Sequence, residues 1–144
     1  MTRIDFYILS NNRQNDKELL ACKITEKAYL AGHEIFIYTA ETAQSQVIDS
    51  MLWTFRQGSF LPHEIQNSAE THKNNPIVIS DQNPIAIKSE VMINLSEQIT
   101  DFFSSYERVA EIVPNNETSK AKARERYKFY KDRGYHLNTH NLEV

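Results

Sequence analysis

IDFYILSNNRQNDKELLACKITEKAYLAGHEIFIYT, residues 4–39, decides the fold. Ile4 to Leu9 is rich in β-branched and aromatic side chains and runs into polar Ser10-Asn11-Asn12, the pattern of a strand and its exit. Residues 16–31 change to a helical period. Leu19, Leu20, Ile24 and Ala28 share one stripe, Asp16 is the expected N-cap, and Gly32 takes the C′ position. Glu34 to Thr39 returns to a strand pattern. Strand, helix, strand with short joints is the signature of a parallel sheet covered by helices.

Working outward, residues 41–54 predict a second helix with Val47, Ile48, Met51 and Leu52 on its apolar side. Residues 55–75 are irregular, and the polar stretch from Gln66 to Asn75 reads as a loop. Ile77-Val78-Ile79 and Val91 to Leu95 are short apolar runs that suit buried parallel strands. Phe102, Phe103 and Tyr106 fit a short helical turn packed on the sheet. Val109 to Val113 predicts a last strand ended by Pro114, and Asn115-Asn116 opens a final helix that runs to about Arg133 and stops at Gly134. The expected fold is α/β: a Rossmann-like three-layer arrangement with a mainly parallel central sheet, in a single domain over residues 1–144.

The 144 residues suffice for one hydrophobic core, and 40% apolar with 24% charged residues is an ordinary globular balance. No apolar run has the length of a membrane span, and Met1 to Asp5 lacks the apolar stretch of a signal peptide. With Cys22 the lone cysteine, no internal disulfide can form. A cytoplasmic setting is expected.

Chemistry-bearing patterns are sparse. Gly32, Gly58 and Gly134 are the three glycines, and none builds the Gly-rich loop after a strand that cradles phosphate. No nucleotide, metal or other cofactor is expected. Cys22 falls inside a predicted helix as packing, and the histidines at 33, 63, 72, 136 and 140 are scattered. No carboxylate pair stands out for acid–base work. Nothing reads as a catalyst.

The net charge of −3 is unevenly spread. Residues 120–133 hold seven of the sixteen basic residues against Glu125 and Asp132, which makes this segment +5 and the remainder −8. On a helix, with Lys120 at zero, Lys131, Arg124, Tyr127 and Lys128 fall at about 20°, 40°, −20° and 80°, on one face. Ala123, Phe129 and Tyr130 point elsewhere and can pack on the sheet. A face that interleaves guanidinium, ammonium and phenol can hold phosphates, or an acidic peptide with an apolar anchor. It can equally be a solvated helix face, although like charges at this spacing repel.

ARERYKFYKDRGYHLNT, residues 123–139, closely resembles the C-terminal signature of the chi subunit family of bacterial DNA polymerase III holoenzyme. DFYIL (5–9) resembles that family's first strand, and LWTFRQGSFLPHEI (52–65) its central motif of a Trp followed by Phe-x-Pro-His. VMINLS (91–96) and EIVPNNETSKAKARERYKFY (111–130) match in order and spacing. The resemblance implies a non-catalytic accessory subunit in DNA replication with a Rossmann-like fold that holds no nucleotide. It implies two partners. One is the psi subunit, which tethers chi to the clamp-loader complex. The other is the acidic C-terminal tail of single-stranded DNA-binding protein, ending in Asp-Asp-Ile-Pro-Phe or a close variant. Contact with DNA is then mainly indirect.

The tail site carries over onto Val113, Lys120, Arg124, Tyr127, Lys128 and Gly134. Chemistry assigns Arg124 to the terminal carboxylate and Lys120 and Lys128 to the aspartates. Val113, Tyr127 and a close approach at Gly134 would border a slot for the Phe ring. The psi surface carries over onto Trp53, Phe60, Pro62 and His63, with ordinary core as the other reading of Trp53 and Phe60. The competing function is direct single-stranded nucleic-acid binding through the basic helix. A degenerate nucleotide-binding enzyme is a third reading, opposed by the missing Gly-rich loops.

Overall fold

The computed structural model describes residues 1–11, 13–66, 75–84 and 90–143. Strand β1 (Arg3–Leu9) leads to helix α1 (Asp16–Leu30), β2 (Ile35–Tyr38), α2 (Thr42–Thr54), β3 (His63–Ile65) and β4 (Ile77–Ser80). Then come β5 (Val91–Asn94), a 3-10 turn (Phe103–Ser105), β6 (Arg108–Val113), α3 (Glu117–Asp132) and β7 (His136–Leu142). Among the described residues these strands form one sheet in the order β3-β4-β2-β5-β6-β1-β7, with every pairing parallel. The expected α/β architecture is what the chain adopts.

Two-residue alternation splits the core into two layers. Ile35 and Ile37 of β2, Val91 and Ile93 of β5, and Ala110 and Ile112 of β6 face α1 and α2, where Leu20, Ala21, Cys22, Ile48 and Leu52 meet them. Ile4, Phe6, Phe36, Met92, Val109 and Val113 face the other way, onto the 3-10 turn and α3, with Phe103, Tyr106, Ala123 and Tyr130. Both faces of the central strands are therefore buried, which explains why these strands read as continuous apolar runs. Cys22 is fully buried, and burial pushes its thiol up to about 12, so it acts as packing.

Helices α1 and α3 end alike. His33 N–H bonds to Ala28 O and Gly32 N–H to Tyr29 O; Tyr135 N–H bonds to Tyr130 O and Gly134 N–H to Lys131 O. These paired bonds require a left-handed residue at C′, and Gly32 (φ 91°) and Gly134 (φ 81°) supply it. The start of α1 differs from expectation. Asn15, with φ 64°, is the N-cap, and Asp16 is the first helical residue, where its carboxylate accepts from Arg13 N–H at 3.0 Å.

Two strands escape the sequence reading. β3 is short, and β7 follows α3, so the strand ended by Pro114 is not the last. His136 and His140 lie on β7 and are separated by about 13 Å of extended chain. The polar loop expected between Gln66 and Asn75 lies, apart from its ends, outside the described residues, as does His72. No helix among the described residues is long and apolar enough to cross a membrane.

β1 also carries a buried charge. Arg108 Nη2 donates to Asp5 at 2.9 Å and His140 Nε2 lies 3.3 Å from it. Burial alone would raise the Asp5 carboxyl, but the bonds from Arg108 and His140 outweigh it and hold Asp5 below its usual value. A depressed carboxylate stabilises the fold above its unfolded pKa, about 4, and loses that contribution as pH falls through the lower folded value. Thermal melts between pH 5 and pH 2.5 should therefore fall more steeply for the wild-type chain than for Asp5→Asn. Parallel curves would remove Asp5 from the acid response.

Candidate functional site

Helix α3 begins at Asn116, whose side chain accepts from Ser119 N–H at 2.8 Å. Its buried residues are Ser119, Ala123, Arg126 and Tyr130, an i, i+4, i+7, i+11 stripe. Arg126, one of the seven cations counted in residues 120–133, points into the protein and is 3% exposed. Its Nε donates to Glu111 Oε1 at 3.0 Å, and its Nη1 donates to Glu97 O at 3.0 Å. Tyr130 Oη donates to Glu111 Oε2 at 2.7 Å, and Asn94 Nδ2 reaches both Glu111 oxygens at 3.1 and 3.2 Å. Burial lifts the Glu111 carboxyl above its usual range, against the opposing pull of the Arg126 charge, the Tyr130 hydroxyl and the Asn94 amide.

This anchor fixes which side of α3 faces out. Beside it lies a groove of about 290 Å³. Phe6, Ile8 and Val113 form the apolar floor; Lys120, Ala123, Arg124 and Tyr127 form the helical wall; Thr139 of β7 forms the opposite rim. The Tyr127 ring tilts over Phe6 with centroids 5.5 Å apart. Lys120 and Arg124 make no ion pair with the described residues, so two cations stand at the mouth of an apolar slot.

Four of the six residues named for the tail site, Val113, Lys120, Arg124 and Tyr127, thus line one groove. Lys128 does not line it; its Nζ bonds to Asp132 Oδ2 at 2.9 Å. Gly134 does not line it either. A Cβ there would meet nothing within 4 Å, so no protein atom crowds Gly134, and its positive φ is what the position needs. Arg133 sits over the Phe129 ring, 3.5 Å from the centroid. Phe6, Ile8 and Thr139 were absent from the expected site. Phe6 and Ile8 share a strand face, a legible signal; Thr139 required knowing that β7 exists.

A second cluster lies near the opposite edge of the sheet. The α2 residues Ser45, Ile48 and Leu52 are buried, which turns Trp53, one residue beyond Leu52, outward. Trp53 is 54% exposed and Phe60 is 68% exposed, so neither is core. Their rings lie 5.9 Å apart, and the Trp53 ring stacks obliquely on His63 at 4.6 Å. His63 is held from beneath. Its Nδ1 lies 2.6 Å from Leu61 O, and its Nε2 is 3.2 Å from Asp49 Oδ1, an ion-pair distance without the angle of a hydrogen bond. Pro62, half-buried, lies between Phe60 and His63 in the chain.

A second hollow, about 250 Å³, opens at the carboxyl ends of β1, β2 and β5, where doubly wound sheets hold their ligands. Glu18, Glu41 and Glu97 line it against the single cation of Lys17. Such a rim repels phosphate.

Known proteins bear on this geometry. Residues 1–138 match the family model for the DNA polymerase III chi subunit, HolC. The DNA polymerase III subunit chi of Pseudomonas aeruginosa is 32% identical over 142 residues, covering 99% of this chain and 98% of its own. That of Haemophilus influenzae is 33% identical over 138 residues and covers 95% of both chains. That of Escherichia coli is 29% identical over 144 residues, 96% of this chain and 97% of its own. The crystal structure of T4 UvsW superposes with a TM-score of 0.71 at 8% identity, over 99% of this chain and 42% of that one, a likeness of fold alone. With nearly its full length matched by the family model and by relatives of equal length, the chain belongs to the DNA polymerase III chi subunit family.

Proposed function

We propose that this protein is an accessory, non-catalytic subunit of the replicative polymerase assembly and works as an adaptor. Its groove on α3 takes the acidic C-terminal tail of single-stranded DNA-binding protein. Its Trp53–Phe60 cluster takes the psi subunit, and through psi the clamp loader. The observation that carries this reading is the groove: an apolar slot with the cations Lys120 and Arg124, unpaired among the described residues, at its mouth. A C-terminal aromatic residue brings a ring and a carboxylate together, and the slot offers a floor for one and a guanidinium fork for the other. Preceding aspartates meet the field of Lys120.

Direct binding of single-stranded nucleic acid through α3 is the weaker reading. Of the seven cations in residues 120–133, Arg126 is buried, Lys128 is paired to Asp132, and Arg133 is stacked on Phe129. That leaves a short cationic mouth beside an apolar slot, not a track for a backbone.

Fluorescence-anisotropy titration with a labelled peptide ending in Asp-Asp-Ile-Pro-Phe tests the proposal. Affinity on the order of micromolar is expected for a site of this size, lost when the Phe is omitted. Arg124→Ala should weaken binding roughly tenfold or more, the cost of a charge-assisted bond at a desolvated carboxylate. Retention of affinity within a factor of two would remove Arg124 from that role. Equal binding of the peptide lacking Phe would sink the tail reading.

A further inference from the structure

The two ends of the sheet are built differently. At one end β3 has three residues, too few to template much further pairing. At the other end β7 has seven residues and is paired on one side, to β1. Long open edges ordinarily carry lysine, proline or a bulge that blocks an added strand. Residues 136–142, HLNTHNL, contain no lysine, no proline and no carboxylate. Their register with β1 runs without a break from His136 to Leu142, so no bulge twists the edge away.

The bonding phase shows which groups are open. Ser10 N–H donates to Leu142 O at 2.8 Å, so the peptide groups of Leu142 face β1. Alternation along the strand turns those of His140, Asn138 and His136 the same way, and those of Leu137, Thr139 and Asn141 outward. Three N–H donors and three carbonyls thus stand in a row without a strand partner among the described residues. Their side chains lie on the α3 side of the sheet, where Thr139 is the rim of the groove. Through Thr139 the groove reaches this edge strand.

Resting on the groove reading above, we infer that β7 is a docking edge for the same acidic peptide, whose residues upstream of the anchored C-terminus add as an eighth strand. The Phe anchor gives specificity and the main-chain bonds to Leu137, Thr139 and Asn141 give further affinity. The edge carries no carboxylate to repel an acidic segment.

The test uses the full chain and two peptides, the pentapeptide Asp-Asp-Ile-Pro-Phe and a version extended upstream by acidic residues. Methylating one backbone nitrogen at a time in the extension should weaken binding about three- to tenfold, at alternate positions only. Amide exchange at Thr139 and Asn141 should slow with the extended peptide and not with the pentapeptide. Asn141→Pro removes an outward N–H and spares the β1 ladder. It should lower affinity for the extended peptide by a similar factor and leave the pentapeptide unchanged, while Asn141→Ala binds both as wild type. Uniform tolerance of N-methylation with unprotected Thr139 and Asn141 amides, while the pentapeptide still binds, overturns the edge and leaves the groove standing. If neither peptide binds, the groove reading fails and the edge falls with it.

Discussion

Arg126→Ala is expected to cost about 3–5 kcal/mol of folding stability, the usual penalty for stranding one partner of a buried ion pair. In a chain of this size that lowers the melting temperature by on the order of 10 °C. The cost arises because Glu111, 0% exposed, then keeps bonds from Tyr130 and Asn94 but loses its one ion-pair partner among the described residues. Removing the guanidinium also removes the largest force opposing burial at that carboxyl. Glu111 then binds its proton more tightly in the folded than in the unfolded state. A group with a raised folded pKa loses stability as pH rises above its unfolded value, so the deficit of Arg126→Ala should narrow at pH 5 relative to pH 8. The double substitution Glu111→Leu with Arg126→Met removes both charges and should recover much of the loss. Urea unfolding at the two pH values measures all three. A deficit under 1 kcal/mol for Arg126→Ala would show that water or a rearranged side chain replaces the pair.

The same residue marks how far the sequence could be read. The charge count tallied Arg126 with the other cations of residues 120–133 and gave it no face, yet helical phase alone puts it at about 240° from Lys120, between Phe129 and Tyr130. A lone Glu111 inside the apolar run VAEIV was the matching signal on β6. Either could have identified the pair, because a charge at a core position needs an opposite partner. The elements 3–54 were legible because their apolar residues recur at strand or helix spacing, although the buried faces of α1 and α2 also take in Asp16, Thr25 and Ser45. β7 was not legible. HLNTHNL has no clean alternation, and the strand exists because β1 offers it a ladder, so tertiary context overrides propensity. With β7 hidden, the rim of the groove at Thr139 was hidden too. Gly134 was legible as the end of α3, because it follows the last helical residues and its positive φ is what the C′ position requires.

Phe60→Ala should reduce association with the proposed psi partner by at least about thirtyfold, the loss of a 2–4 kcal/mol hot spot. The exposed Trp53 and Phe60 rings, with His63 against Trp53, form the kind of aromatic patch that is costly to leave in water and profitable to cover. Truncating Phe60 removes surface that is already 68% exposed, so stability should change by no more than about 0.5 kcal/mol. Tail affinity should not change either. β3 and β1 are separated by four strands, so the cluster and the groove lie about 24 Å apart along the sheet, with no shared side chain to couple them. Coupling through unfolding is the remaining route, and it leaves its own trace. Co-purification with psi, tail titration and a thermal melt on one preparation separate the cases. Loss of psi with the other two intact places the anchor at Phe60. Loss of all three means that Phe60 supports the irregular segment around Ser59, which Glu26 ties to α1 by a 2.9 Å bond, and that the exposed ring is a structural brace. Retention of psi would move that partner to another surface and leave the aromatic cluster without an occupant.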